Sequence, residues 1–174
     1  MLRGFLKFSD TTSWLAETLA VILLYGFCLL MLAEVFSRGF LSTSLALSWE
    51  YSAFAMAGVF LLGAGPALRR GSHVRVALVQ GMLGPRGQRA LNIAATFVGI
   101  ALAILLLVIF WSMFANSWTR GLRQPSYTNT PLIYPQGLAV LGAAQFVLDL
   151  VARAIRLCLH LPPEQPLAKE PADA

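Results

Sequence analysis

The sequence predicts an all-α membrane protein: four transmembrane helices plus a short interfacial segment in the cytoplasmic loop between spans two and three. Three observations predict it. The 174 residues are 57% hydrophobic and only 12% charged, whereas soluble domains carry about 25% charged residues, so a soluble surface would be coated in apolar side chains. The apolar residues gather into four runs, each close to the length of about 20 helical residues that crosses a hydrocarbon core. Arg69, Arg70, His73, Arg75, Arg86 and Arg89 crowd one connection with no acid between them, the signature of a cytoplasmic loop. The chain then divides into a cytoplasmic lead-in at 1–13, a four-span domain at 14–157 and a cytoplasmic tail at 158–174. The spans are expected at about 14–36, 49–68, 91–118 and 131–157. The Pro-, Glu-, Lys- and Ala-rich tail has the composition of a disordered segment.

The lead-in sets Arg3 and Lys7 among Leu2, Phe5, Leu6 and Phe8, which suits an anionic cytoplasmic membrane surface. The run from Trp14 to Phe36 exceeds the core of a signal peptide, about 7–15 residues, and is expected to stay as the first span. Glu17 lies near its start and Glu34 near its end. Arg38 follows Glu34 by four residues, acid first, the favourable order on one helix face. The pair is either a helix-end ion pair or a contact to a partner subunit.

Trp49 and Tyr51 open span two with rings that suit the headgroup layer. Glu50 is expected in the first turn, complementing the helix dipole. Ala53 with Ala57, and Gly63 with Ala67, repeat the small-xxx-small spacing that lets membrane helices approach closely. Pro66 removes a backbone donor and predicts a kink near the inner end. Residues 74–83 are apolar on nearly every face and too short to cross, so they are expected in the interface or against another protein.

Span three has a charge-free centre at 97–110, with Trp111 and Trp118 toward its outer end. A polar loop follows, and span four starts at Pro131 or Pro135. Gly137, Gly142, Ala143 and Ala144 give that span a smooth packing face. Asp149 and Arg153 repeat the acid-then-base spacing of Glu34 and Arg38. A cytoplasmic basic loop puts both termini inside and the loops at 39–48 and 116–130 outside; Arg120 and Arg123 oppose this, two positions against six.

Chemistry-bearing motifs are missing from the sequence. It holds no phosphate loop and no nucleophile motif. His73 and His160 lie outside the spans, so no haem is held between helices. Cys28 and Cys158 have neither disulfide nor metal spacing. The basic loop lacks the aromatic interleaving of a nucleic-acid surface, and no span has the Gly/Pro-interrupted centre of a substrate site. Catalytic, substrate-binding, metal and cofactor residues are therefore not expected. Charges only near span ends suit a scaffold. The rivals are a small proton-coupled four-span exporter, for which Glu17 is the candidate acid, and a membrane anchor of an enzyme complex.

Trp49-Glu50, an apolar span with Gly63, and then Leu68-Arg69-Arg70-Gly71-Ser72-His73-Val74-Arg75-Val76 carry a resemblance. Glu34 with Arg38, and Thr130-Pro131-Leu132 running through Gly137 to Gln145, extend it over most of the chain. The sequence resembles the small membrane subunit of tripartite ATP-independent periplasmic (TRAP) transporters. It departs from that pattern where Glu50 lacks a second acid and where Ala77 stands in place of an acid. The resemblance implies a non-enzymatic scaffold subunit in the bacterial inner membrane. Its partners would be the lipid bilayer, a large ion-driven permease subunit and a periplasmic substrate-binding protein that delivers an organic acid. Glu34, Arg38, Trp49, Glu50, Ala53, Ala57, Arg69, Arg70, His73 and Leu78 are the expected partner-interface residues.

Overall fold

The computed structural model describes residues 2–70 and 84–159. Among the described residues it holds four helices, α1 (Leu2–Phe40), α2 (Ala46–Arg69), α3 (Pro85–Arg120) and α4 (Ile133–Cys158). All four are long and apolar enough to cross a membrane. The fold is therefore the all-α, four-span membrane architecture read from the sequence. Residues 74–83, expected at the interface, lie outside the described residues, as do His73, Leu78, His160 and the tail.

Helix α1 begins at Leu2 rather than Trp14, so the described lead-in is part of the first helix. The polar run 9–13 does not interrupt it; the Thr11 and Thr12 hydroxyls donate back to the carbonyls of Lys7 and Phe8 at 3.0 and 3.2 Å, which satisfies them within the helix. Helix α2 starts at Ala46, which moves Glu50 out of the first turn, and it continues through Pro66 to Arg69. Helix α3 opens on Pro85, where a missing N–H costs nothing. It closes on Gly121 at φ 60°, whose N–H donates to the Ser117 carbonyl; glycine takes this left-handed turn without a Cβ penalty. Helix α4 starts at Ile133, leaving Pro131 before it and Pro135 inside its first turn.

The helices pack in the order α1, α2, α4, α3, with α1 also touching α4. Helices α2 and α4 are the inner pair: 33% of the most apolar stretch of each is buried, against 11% for α1 and α3. One apolar cluster joins Ala16 and Ala20 of α1 to Leu62 of α2, with Leu138 of α4 against it. A second joins Leu68, Ala103 and Leu150 of α2, α3 and α4. Lipid offers little hydrophobic drive between helices, so close approach must supply much of the attraction. At Gly142 it is backbone that approaches, since a Cβ there would sit 2.9 Å from the Leu61 carbonyl carbon. Gly58 of α2 similarly receives Leu138 and Leu23. The internal contacts of α2 thus use Gly58, Leu62 and Gly65, while Ala53 and Ala57 stay exposed on its other face.

Candidate functional site

The polar residues gather at the two ends of the bundle. The 41–45 and 121–132 loops share one end, since Ser126 and Thr128 reach Glu50 at the start of α2. The other end, where α2 stops at Arg69, holds a buried hub.

Arg69 is the centre of that hub. It is 6% exposed, and Asp149 and Ser9 are fully buried. Its Nε donates to Asp149 Oδ1 at 2.7 Å, while its two terminal nitrogens donate to the Asp10 carboxylate and the Ser9 hydroxyl. One guanidinium therefore ties α2 to α1 and α4 at once, using a rigid fork that a lysine does not have. Gln145 Nε2 and Ser13 Oγ donate to the two oxygens of Asp149 at 3.0 and 3.3 Å. Arg156 Nη2 donates to Asp10 Oδ1 at 2.6 Å. Two acids and two arginines cancel, which matters because each buried ion costs several kcal/mol, about that much even after relaxation, unless it is paired and hydrogen-bonded. Gly65 makes the room: a Cβ there would collide with the Asp149 carboxylate. Beside the hub, Arg70 pairs with Glu17 at the rim of a shallow groove between α1 and α2 that includes Gly63 and Ala67.

At the loop end, Glu34 accepts from the Leu45 N–H and the Ser44 hydroxyl, both at 2.7 Å, and from Arg38 Nε at 3.2 Å. It thereby folds the 41–45 loop over the end of α1. Glu50 accepts the Ser126 hydroxyl at 2.9 Å and the Thr128 hydroxyl as well. Thr130 donates on to Tyr51 Oη at 3.3 Å. The 121–132 loop is itself cross-braced, with Gln124 N–H to the Thr130 carbonyl at 2.9 Å and Leu132 N–H to the Leu122 carbonyl at 3.1 Å. Between the two loops lies a cleft of about 730 Å³ that reaches Tyr51 and Tyr127.

Of the expected interface residues, Glu34, Glu50 and Arg69 are buried and bonded within the chain. Arg38 and Arg70 are exposed yet paired in the same chain. Trp49, at 83% exposure, lies open together with Ala53 and Ala57. The structure does not bring the eight described ones into one patch; His73 and Leu78 lie outside the described residues. Sequence reasoning passed over Ser9, Asp10 and the Arg69–Asp149 link. One signal was available: Gln145 and Asp149 lie one turn apart on α4, and Gly65 lies one turn before Arg69, a polar pair facing a gap beside a cation. Among the described residues, no group of three or more His, Cys, Asp or Glu could hold a metal ion.

A sequence model of the family described as "Tripartite ATP-independent periplasmic transporters, DctQ component" matches residues 27–160. No curated protein and no solved structure matches the chain.

Proposed function

This chain belongs to the DctQ family, the small subunits of tripartite ATP-independent periplasmic transporters, and we propose that it is the static scaffold subunit of such a transporter. In this role it sits in the bacterial inner membrane with both termini cytoplasmic. It partners a large permease subunit that uses an ion gradient to import an organic acid, which a periplasmic binding protein delivers.

One observation carries the scaffold role. All five carboxylates among the described residues, Asp10, Glu17, Glu34, Glu50 and Asp149, are bound by groups of this same chain. None is left open in a span centre to couple an ion to a substrate. The outward faces of α1 and α3 are apolar over most of their length, which fits contact with lipid or another membrane subunit. Glu17, the acid an exporter would need, is held by Arg70 near the hub end.

The proposed partner surface is the exposed face of α2, with Trp49, Ala53, Ala57 and Arg70; His73 and Leu78, outside the described residues, are proposed to belong to it. Ala57→Leu would hold a partner helix away, and Leu78→Asp would bury an unpaired charge. Each should reduce co-purification of the large subunit while the chain still inserts. If both variants co-purify like wild type, the interface lies elsewhere, on spans one and four. Glu17→Gln should leave uptake intact when all three components are present; near-complete loss, with the complex assembled, would favour the exporter. For orientation, a reporter active only in the cytoplasm should work when fused after Gly87 and stay silent after Ser126.

A further inference from the structure

Helices α1, α2 and α4 close tightly at mid-depth, where Leu23 and Leu138 both press on Gly58. On the loop side of that plug a groove of about 540 Å³ opens between α1 and α4, and α2 supplies its third wall. The α1 wall runs from Ile22 to Leu30, about 12 Å along the helix axis. Gly26 stands in that wall, and a Cβ there would meet nothing within 4 Å. The groove is apolar toward the plug. Its hydroxyls all lie at the loop end, on Tyr51, Thr130 and Tyr134. From there the groove runs on into the cleft between the loops, since Leu30 and Tyr51 line both. The result is one trough from mid-membrane to the surface, apolar below and polar above.

The occupant must match that gradient. Water does not fill an apolar cavity, and an unfilled one forfeits the contacts of its walls. A helix with its side chains is about 10 Å across, so it would bridge the mouth of the groove rather than fill it. A hydrocarbon chain is narrow enough to enter. A cation stands at the polar end: Arg123 lies antiparallel to Pro131, a lining residue. Its Nη1 donates to the Asn129 carbonyl at 3.3 Å, and among the described residues no carboxylate pairs with it. Arg123 also lies past the end of α3, so the helix dipole does not account for it. A guanidinium at headgroup depth, with the Thr128 and Thr130 hydroxyls on the same loop, complements a phosphate.

We propose that this trough is a phospholipid site within the subunit. One acyl chain lies between α1 and α4 down to the Leu23–Leu138 plug, and the phosphate rests against Arg123 and the threonine hydroxyls. At 3.6 residues per turn, Tyr51, Phe54 and Ala55 lie on the side of α2 opposite Trp49, Ala53 and Ala57, so the site is separate from the proposed partner surface. The test is native mass spectrometry of the full chain extracted from membranes in detergent, alone and with its large subunit. Wild type should retain one phospholipid per chain in both preparations. Gly26→Leu fills the groove from the α1 wall and should lower that occupancy about tenfold, whereas Gly26→Ala is too short to fill it and should retain the lipid. Added phospholipid should raise the unfolding midpoint of wild type and leave that of Gly26→Leu where it is. Arg123→Gln, which keeps the groove and tests the site even if Gly26→Leu fails to fold, should lose phospholipid yet still bind added diacylglycerol, which has the chains without the phosphate. Wild type that retains no phospholipid overturns the proposal, as does Gly26→Leu or Arg123→Gln that retains as much as wild type. So does a lipid present on the chain alone and missing once the large subunit is bound, which would give the groove to that subunit.

Discussion

The hub and the Glu34 cluster bury acids by different means. At the hub, Asp149 and Asp10 are neutralised by arginines from other helices, across sequence separations of 80, 59 and 146 residues. At the loop end, Glu34 is satisfied from within 4 to 11 residues of itself, by Arg38, Ser44 and a backbone N–H. The first arrangement joins helices; the second shapes a turn. In a medium where apolar contact between helices gains little over contact with lipid, the long-range charge cluster ties α1, α2 and α4 to one another. The local cluster could be lost with the helix order intact.

The largest expected effect is therefore at Arg69. Arg69→Ala leaves fully buried Asp149 without its cation, and breaking a buried pair from one side costs about 3–5 kcal/mol. The detergent-solubilised protein should show a markedly lower unfolding midpoint and poor yield. Arg69→Lys should rescue little, since an ammonium cannot hold three acceptors on two helices in one plane. The double change Arg69→Met with Asp149→Leu should recover much of the loss, because removing both charges also removes the cost of burying them. If Arg69→Ala unfolds like wild type, the hub does not hold the helices together.

A smaller effect is expected from Gly65→Ala. The new methyl group would collide with the Asp149 carboxylate, and the inner helices have no slack to move apart, since Gly142 already lies against the Leu61 backbone. Overpacking of this kind costs about 1–3 kcal/mol. Ala57→Gly, on the exposed face of the same helix, serves as the control for backbone propensity and should shift the midpoint less.

How much of this was legible follows from range. Span existence depends on local hydropathy, and the described residues hold four helices long and apolar enough to cross a membrane. The close-packed face of α4 was legible too, since Gly142 and Ala143 are small and adjacent. The start of α1 was missed because Ser9-Asp10-Thr11-Thr12-Ser13 looks like the end of a lead-in; only the structure shows the hydroxyls turned back onto carbonyls and Ser9 and Asp10 turned toward α2. In the sequence Arg69 reads as a topology signal and a partner-interface residue, as any arginine in a basic loop would. Its partner lies 80 residues away on α4, and no periodicity in a single sequence joins the two. Glu50 was likewise assigned to a first turn, whereas the helix starts four residues before it and the carboxylate serves a loop 76 residues later.

The smallest effect sharpens the contrast from the other side. Arg38 lies in the last turn of α1, four residues after Glu34, with its side chain 68% exposed. Solvent screens such a pair, and holding two long side chains in one geometry costs entropy. Glu34 also keeps its bonds to Ser44 and the Leu45 N–H when the arginine is gone. Arg38→Ala should accordingly leave the unfolding midpoint within measurement error at any ionic strength. Glu34→Ala removes the acceptor for both loop donors, so it should make the 41–45 loop more susceptible to protease without releasing α1 from α2. If Arg38→Ala instead destabilises the protein as much as Arg69→Ala does, the two clusters are not different in kind. Local ion pairing would then have to be counted among the interactions that hold the helices together.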